Sequence, residues 1–65
     1  MGSSFTPDLK RLLLDANCHF VRHGKGEDDI WFSPHTGVHF PVDQTIKSKH
    51  TANAVLKQAG LPKHF

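Results

Sequence analysis

Four groups of residues in this chain have the functional groups that site chemistry needs. Gly24-Lys25-Gly26 is a short loop bracketed by glycines. Two glycines let a backbone come close to a ligand, and their N–H groups with Lys25 could hold a phosphate, although such a turn also serves simply to reverse a hairpin. Glu27-Asp28-Asp29 follows at once. Three carboxylates there repel an anion unless Lys25 and Arg22 offset them. They could also recruit Mg²⁺, but alternating strand residues point apart, so an exposed acidic loop is the simpler expectation. Among the six histidines, His19 and His23 are four apart, as are His35 and His39. That spacing chelates on a helix but separates strand side chains by ~13 Å. Neither a metal nor a cofactor is expected. The imidazoles suit acid–base work near neutrality or contact with nucleic-acid bases, or are ordinary exposed rings. Cys18, the single cysteine, has no base-and-acid framework adjacent in sequence and reads as a buried thiol.

The elements that must position these groups follow from periodicity. Thr6-Pro7-Asp8 opens a first helix, with Thr6 as cap, Pro7 at the first helical position and Asp8 at the positive end of the dipole. Phe5, Leu9, Leu12, Leu13 and Ala16 then share a face, and Asn17 stops the helix. Leu14 lies off that stripe, as an edge or a partner contact. From Cys18 to Val42 the period becomes two. Cys18–His23 reads as a first strand and Asp29–Ser33 as a second. Ser33-Pro34-His35-Thr36-Gly37 forms a turn. Val38, Phe40 and Val42 alternate with His39 and Pro41 in a third strand, which lies at a sheet edge or ends at Pro41. Ala52, Val55, Leu56 and Ala59 recur at helical spacing after Ser48, and Gly60 closes that second helix. Trp31 is placed either on the open face, for a partner to cover, or in the core.

The expected fold is α+β, in the order α-β-β-β-α: a three-stranded antiparallel sheet with two helices packed on one face, as a single domain over residues 1–65. A chain of 65 residues with 37% apolar composition supports one thin core. One cysteine excludes an internal disulfide and a Cys-x-x-Cys zinc site, and favours a reduced cytoplasmic setting. No apolar run approaches the ~20 residues of a membrane span, and no secretion signal is expected. The formal charge of +2 is unevenly placed: Lys47, Lys49, Lys57 and Lys63 occupy residues 44–65 without a single acid. With His50 and His64 interleaved, that stretch suits a phosphate backbone, or else forms a solvated helix face.

Three stretches resemble a known family, the HicA-type toxins of bacterial toxin–antitoxin pairs. They are Leu12–Arg22, then Gly24-Lys25-Gly26 with Ile30-Trp31 following, and Lys47–Leu61 with its Leu-Lys-Gln-Ala-Gly-Leu ending. The resemblance covers nearly the whole chain. It implies a double-stranded-RNA-binding-like fold and a metal-independent endoribonuclease acting on mRNA, silenced by a HicB-like antitoxin protein. It also implies a catalytic histidine in a Gly-x-His pattern, which here reads Gly26-Glu27-Asp28. Asp28 therefore occupies the place of the family base. Aspartate, with an ordinary pKa of about 3.9 against about 6.5 for histidine, is the weaker base at neutral pH. Three outcomes stay open: Asp28 is raised in pKa by Glu27 and Asp29, His23 or His39 acts instead, or the chain binds RNA or antitoxin without cutting. RNA contacts are expected from Lys25, Gly26, Lys47, Lys49 and His50.

Overall fold

A computed structural model describes residues 4–65. The elements run α1 (Thr6–Asp15), β1 (His19–His23), β2 (Asp28–Ser33), β3 (Val38–Asp43) and α2 (Lys49–Gln58). The strands form one antiparallel sheet in the order β1-β2-β3, so Pro41 does sit on an edge strand. Both helices pack on one face, and the α-β-β-β-α layout expected from periodicity is the one observed. None of the helices of the described residues is long and apolar enough to cross a membrane.

The helices end alike. Asn17 takes φ +69° and Gly60 φ +79°, each just past its helix. Cys18 N–H then donates to the Leu13 carbonyl and Leu61 N–H to that of Leu56, so both ends close as Schellman motifs. At Gly60 a side chain would be strained by the positive φ, and its Cβ would lie 2.7 Å from the Thr36 methyl carbon, which would have to shift. The first helix begins differently from the expectation. Thr6 does not cap it; the N-cap position is Phe5, without a side-chain bond. Thr6 Oγ1 instead donates to the Asp43 carbonyl at 3.0 Å and accepts from Ile46 N–H at 2.9 Å. Its hydroxyl is used to lock the segment after β3 onto α1, a long-range role that outcompetes the local cap. Ser48 is the N-cap of α2, also without a side-chain bond.

The starts of β1 and β2 shift by one residue for backbone reasons, and β3 runs one residue further, to Asp43. Cys18 stays out of β1 because its N–H is committed to the α1 cap. Asp28 joins β2, and its carbonyl accepts from Gly24 N–H at 2.7 Å, closing the hairpin.

The core gathers Leu9 and Leu13 of α1, Trp31 of β2, Phe40 and Val42 of β3, Ile46, Ala52, Val55 and Leu56 of α2, and Ala59 at its C-cap. Cys18 is buried among them as a free thiol. Trp31 belongs to this packed face, at 4% exposure, and is not available for a partner. Its Nε1–H is buried without a hydrogen-bond partner among the described residues. That costs about 1–3 kcal/mol, which burial of the large apolar ring offsets. Leu14 is exposed and lies outside the core. The β2–β3 turn is tied to both helix ends: His35 Nε2 donates to the Ala16 carbonyl at 2.6 Å, and Ser33 Oγ to that of Ala59 at 2.7 Å.

Candidate functional site

β2 alternates strictly. Asp29, Trp31 and Ser33 are buried under the helices, whereas Asp28, Ile30 and Phe32 point to the open face. The acidic run is thus divided between two surfaces, with Asp28 on one and Asp29 on the other. β1 would alternate as simply, but its register slips between Phe20 and Arg22. This bulge inserts one extra residue, Val21. Phe20 pairs with Trp31 and His23 with Asp29, so Phe20 and His23 share the helix side although three positions apart. Their rings are 5.3 Å apart, edge to face.

The result is a constellation on the helix side of the sheet, at its β1–β2 hairpin end. His23 Nδ1 lies 2.9 Å from Asp29 Oδ1. The His23 side chain is 80% exposed and that of Asp29 only 7%. Lys10 Nζ of α1 approaches Asp29 Oδ2 at 3.7 Å. Gln44, just past β3, donates its side-chain amide to Asp29 Oδ1 at 3.4 Å, and its backbone N–H to the Glu27 carbonyl at 3.2 Å. The hydrogen bond with His23 holds the Asp29 carboxyl below the usual carboxylate range; Gln44 and Lys10 act the same way, and burial opposes them. An ionised Asp29 can only accept, so neutral His23 must donate from Nδ1. Nε2 is then the ring nitrogen with a free lone pair, and it belongs to the exposed part of the side chain. A buried carboxylate orienting an open imidazole is the arrangement of an acid–base dyad.

The other residues singled out in the sequence fall elsewhere. Asp28 is half-buried on the open face, where its cross-strand neighbour is Asp43. His39 is exposed at the far end of that face, beside Phe32. His23, His39 and Asp28 therefore do not meet in one site. His19 and His23 lie on opposite faces, and His35 is engaged in its turn. Among the described residues there is no cluster of three or more metal-ligating side chains. Lys25 and Gly26 are exposed in the β1–β2 turn, Gly26 with φ +67°. Lys47, Lys49 and His50 are exposed around the start of α2, on the segment that continues from Gln44. Asp29, Lys10, Gln44 and Phe20 are the residues that sequence reasoning did not single out for this site. The only signal was a carboxylate six positions after His23, visible as a cross-strand partner only once hairpin and bulge are known.

Comparison with protein-family models, curated proteins and solved structures finds no match to this chain.

Proposed function

We infer that this chain is an RNA-directed protein of the HicA-like kind, a metal-independent ribonuclease whose acid–base group is His23. The observation that supports this most directly is the 2.9 Å contact between exposed His23 and buried Asp29. His23 Nε2 takes the proton of a ribose 2′-OH as that oxygen attacks the adjacent phosphorus. The P–O5′ bond breaks, the departing oxygen is protonated by the imidazolium or by water, and a 2′,3′-cyclic phosphate remains. Phe20, 44% exposed beside His23, gives a base a ring to stack on. A cytoplasmic setting, mRNA as substrate and a HicB-like antitoxin as partner belong to the same reading, by resemblance.

A second reading, a module that binds RNA or antitoxin without cutting, is favoured by one observation: Asp28, in the place of the family base, faces a second carboxylate, Asp43. Cleavage of RNA in the presence of a chelator separates the two. The first requires cleavage that disappears in His23→Ala; the second requires binding alone. Backbone contacts are tested independently. Replacing Lys47 and Lys49 by Glu should weaken binding at every sequence and flatten the salt dependence by about 1.4 in log–log slope, at ~0.7 per single-strand phosphate contact. An unchanged slope would return these lysines to a solvated face.

A further inference from the structure

The open face of the sheet holds an aromatic row that the His23 site does not use. The register aligns His19 of β1, Phe32 of β2 and His39 of β3 side by side. The His19 and Phe32 ring centroids are 5.5 Å apart and those of Phe32 and His39 4.9 Å, with the imidazoles tilted 43° and 54° from the Phe32 plane. Both helices pack on the other side, and His19 and His39 are exposed. Cross-strand ring contacts of this kind steady a sheet; here they also set a half-buried Phe between two exposed imidazoles on the open face.

Charge on this face is graded. Arg22 stands in the row next to the aromatics, opposite Ile30. The acids Asp28 and Asp43 pair at the far end, four positions from Phe32 along β2, or roughly 13 Å. Two strand spacings, roughly 10 Å, separate the outer rings, enough for one or two bases. We propose that this face binds unpaired nucleobases of single-stranded RNA, one base stacking on Phe32 while His19 and His39 contact its edges or the flanking phosphates. A duplex cannot do this, because its bases are stacked on one another and only its edges and backbone are open. The graded charge sets polarity, with phosphates held near Arg22 and away from Asp28 and Asp43. A protein partner would need a wider apolar centre than one Phe, Ile30 and Pro41 provide.

The proposal rests on the RNA-directed reading but not on cleavage, so the probe is a fluorescein-labelled 2′-O-methyl RNA octamer, which lacks the 2′-OH needed for cutting. Anisotropy titrations compare it with the same octamer in a blunt duplex. The native chain should bind the single strand, Phe32→Ala should weaken that binding about 10-fold, and Phe32→Tyr should retain it. Duplex affinity should be unchanged in both variants. Buried Trp31 emission reports whether each variant is folded. If Phe32→Ala does not fold, His19→Ala with His39→Ala, both at exposed positions, must show the same selective loss. Single-strand affinity within twofold of native in a folded variant overturns the proposal, whether or not a protein then proves to dock on this face. Failure of the native chain to bind the octamer overturns it too, as does an equal loss for single strand and duplex. Octamer binding that depends on Phe32, in a chain that cuts no RNA, upholds this proposal and removes the ribonuclease one.

Discussion

Removing the two members of the dyad separately should give unequal losses, and the inequality follows from their burial. His23→Ala deletes the base itself, and general-base assistance is typically worth ~10²–10⁴-fold in rate. Asp29→Asn keeps the shape and removes the charge that selects the Nδ1–H tautomer. In a buried triad that change costs about 10⁴-fold, because nothing else can orient the imidazole. Here the His23 side chain is 80% exposed, so water can replace the lost acceptor. The loss should fall to roughly 10-fold, the cost of a wandering ring rather than a missing one. Because the residues act as one unit, the double variant should be no slower than His23→Ala alone. The assay is single-turnover cleavage of a defined RNA in EDTA, with Lys10 and Lys25 intact. Asp29→Asn as severe as His23→Ala would mean that Asp29 does more than orient. Activity of His23→Ala at half the native rate or above would refute the dyad.

Further tests address the neighbouring residues. Asp28→His places an imidazole beside Asp43 on the open face. In a His23→Ala background it should restore cleavage by about 10²-fold if the position marked by the resemblance is competent; no gain would show that position 28 lacks more than a base. Asp29 ionises more readily folded than unfolded. Its stabilising contribution is therefore complete above its unfolded pKa, about 4, and is lost as pH falls through the lower folded value. Stability of the native chain relative to Asp29→Asn should be flat above about pH 5 and decline towards pH 2; parallel curves would contradict the assignment. Ser33→Ala strands the Ala59 carbonyl and the His35 N–H, which the fully buried hydroxyl now serves. It should cost about 1–3 kcal/mol, lowering Tm on the order of 10 °C; an unchanged Tm would show that those groups find water.

Features that depend on residues within a turn of one another are legible in the chain alone. The apolar stripes of Leu9 and Leu13, and of Ala52, Val55, Leu56 and Ala59, follow from helical spacing, and all of these residues are buried. Asn17 and Gly60 end their helices because few residue types enter the left-handed region easily, and both do so. Pro41 marks an edge because it has no N–H to donate to a ladder. The division of labour between the sheet faces was decided only by tertiary structure. Strand side chains alternate, so a single inserted residue reverses every side chain beyond it. The bulge at Val21 brings His23 round to Phe20 and Asp29, and no property of Val21 itself signals a bulge. In the same way Asp28 and Asp29 differ in role though not in chemistry, one facing water and Asp43, the other buried and oriented towards His23. Thr6 fits a cap by local bonding alone, but Asp43 and Ile46, 37 and 40 positions away, claim its hydroxyl. Long-range pairing sets register, register sets faces, and it is the faces that separate the His23–Asp29 pair from the aromatic row in so short a chain.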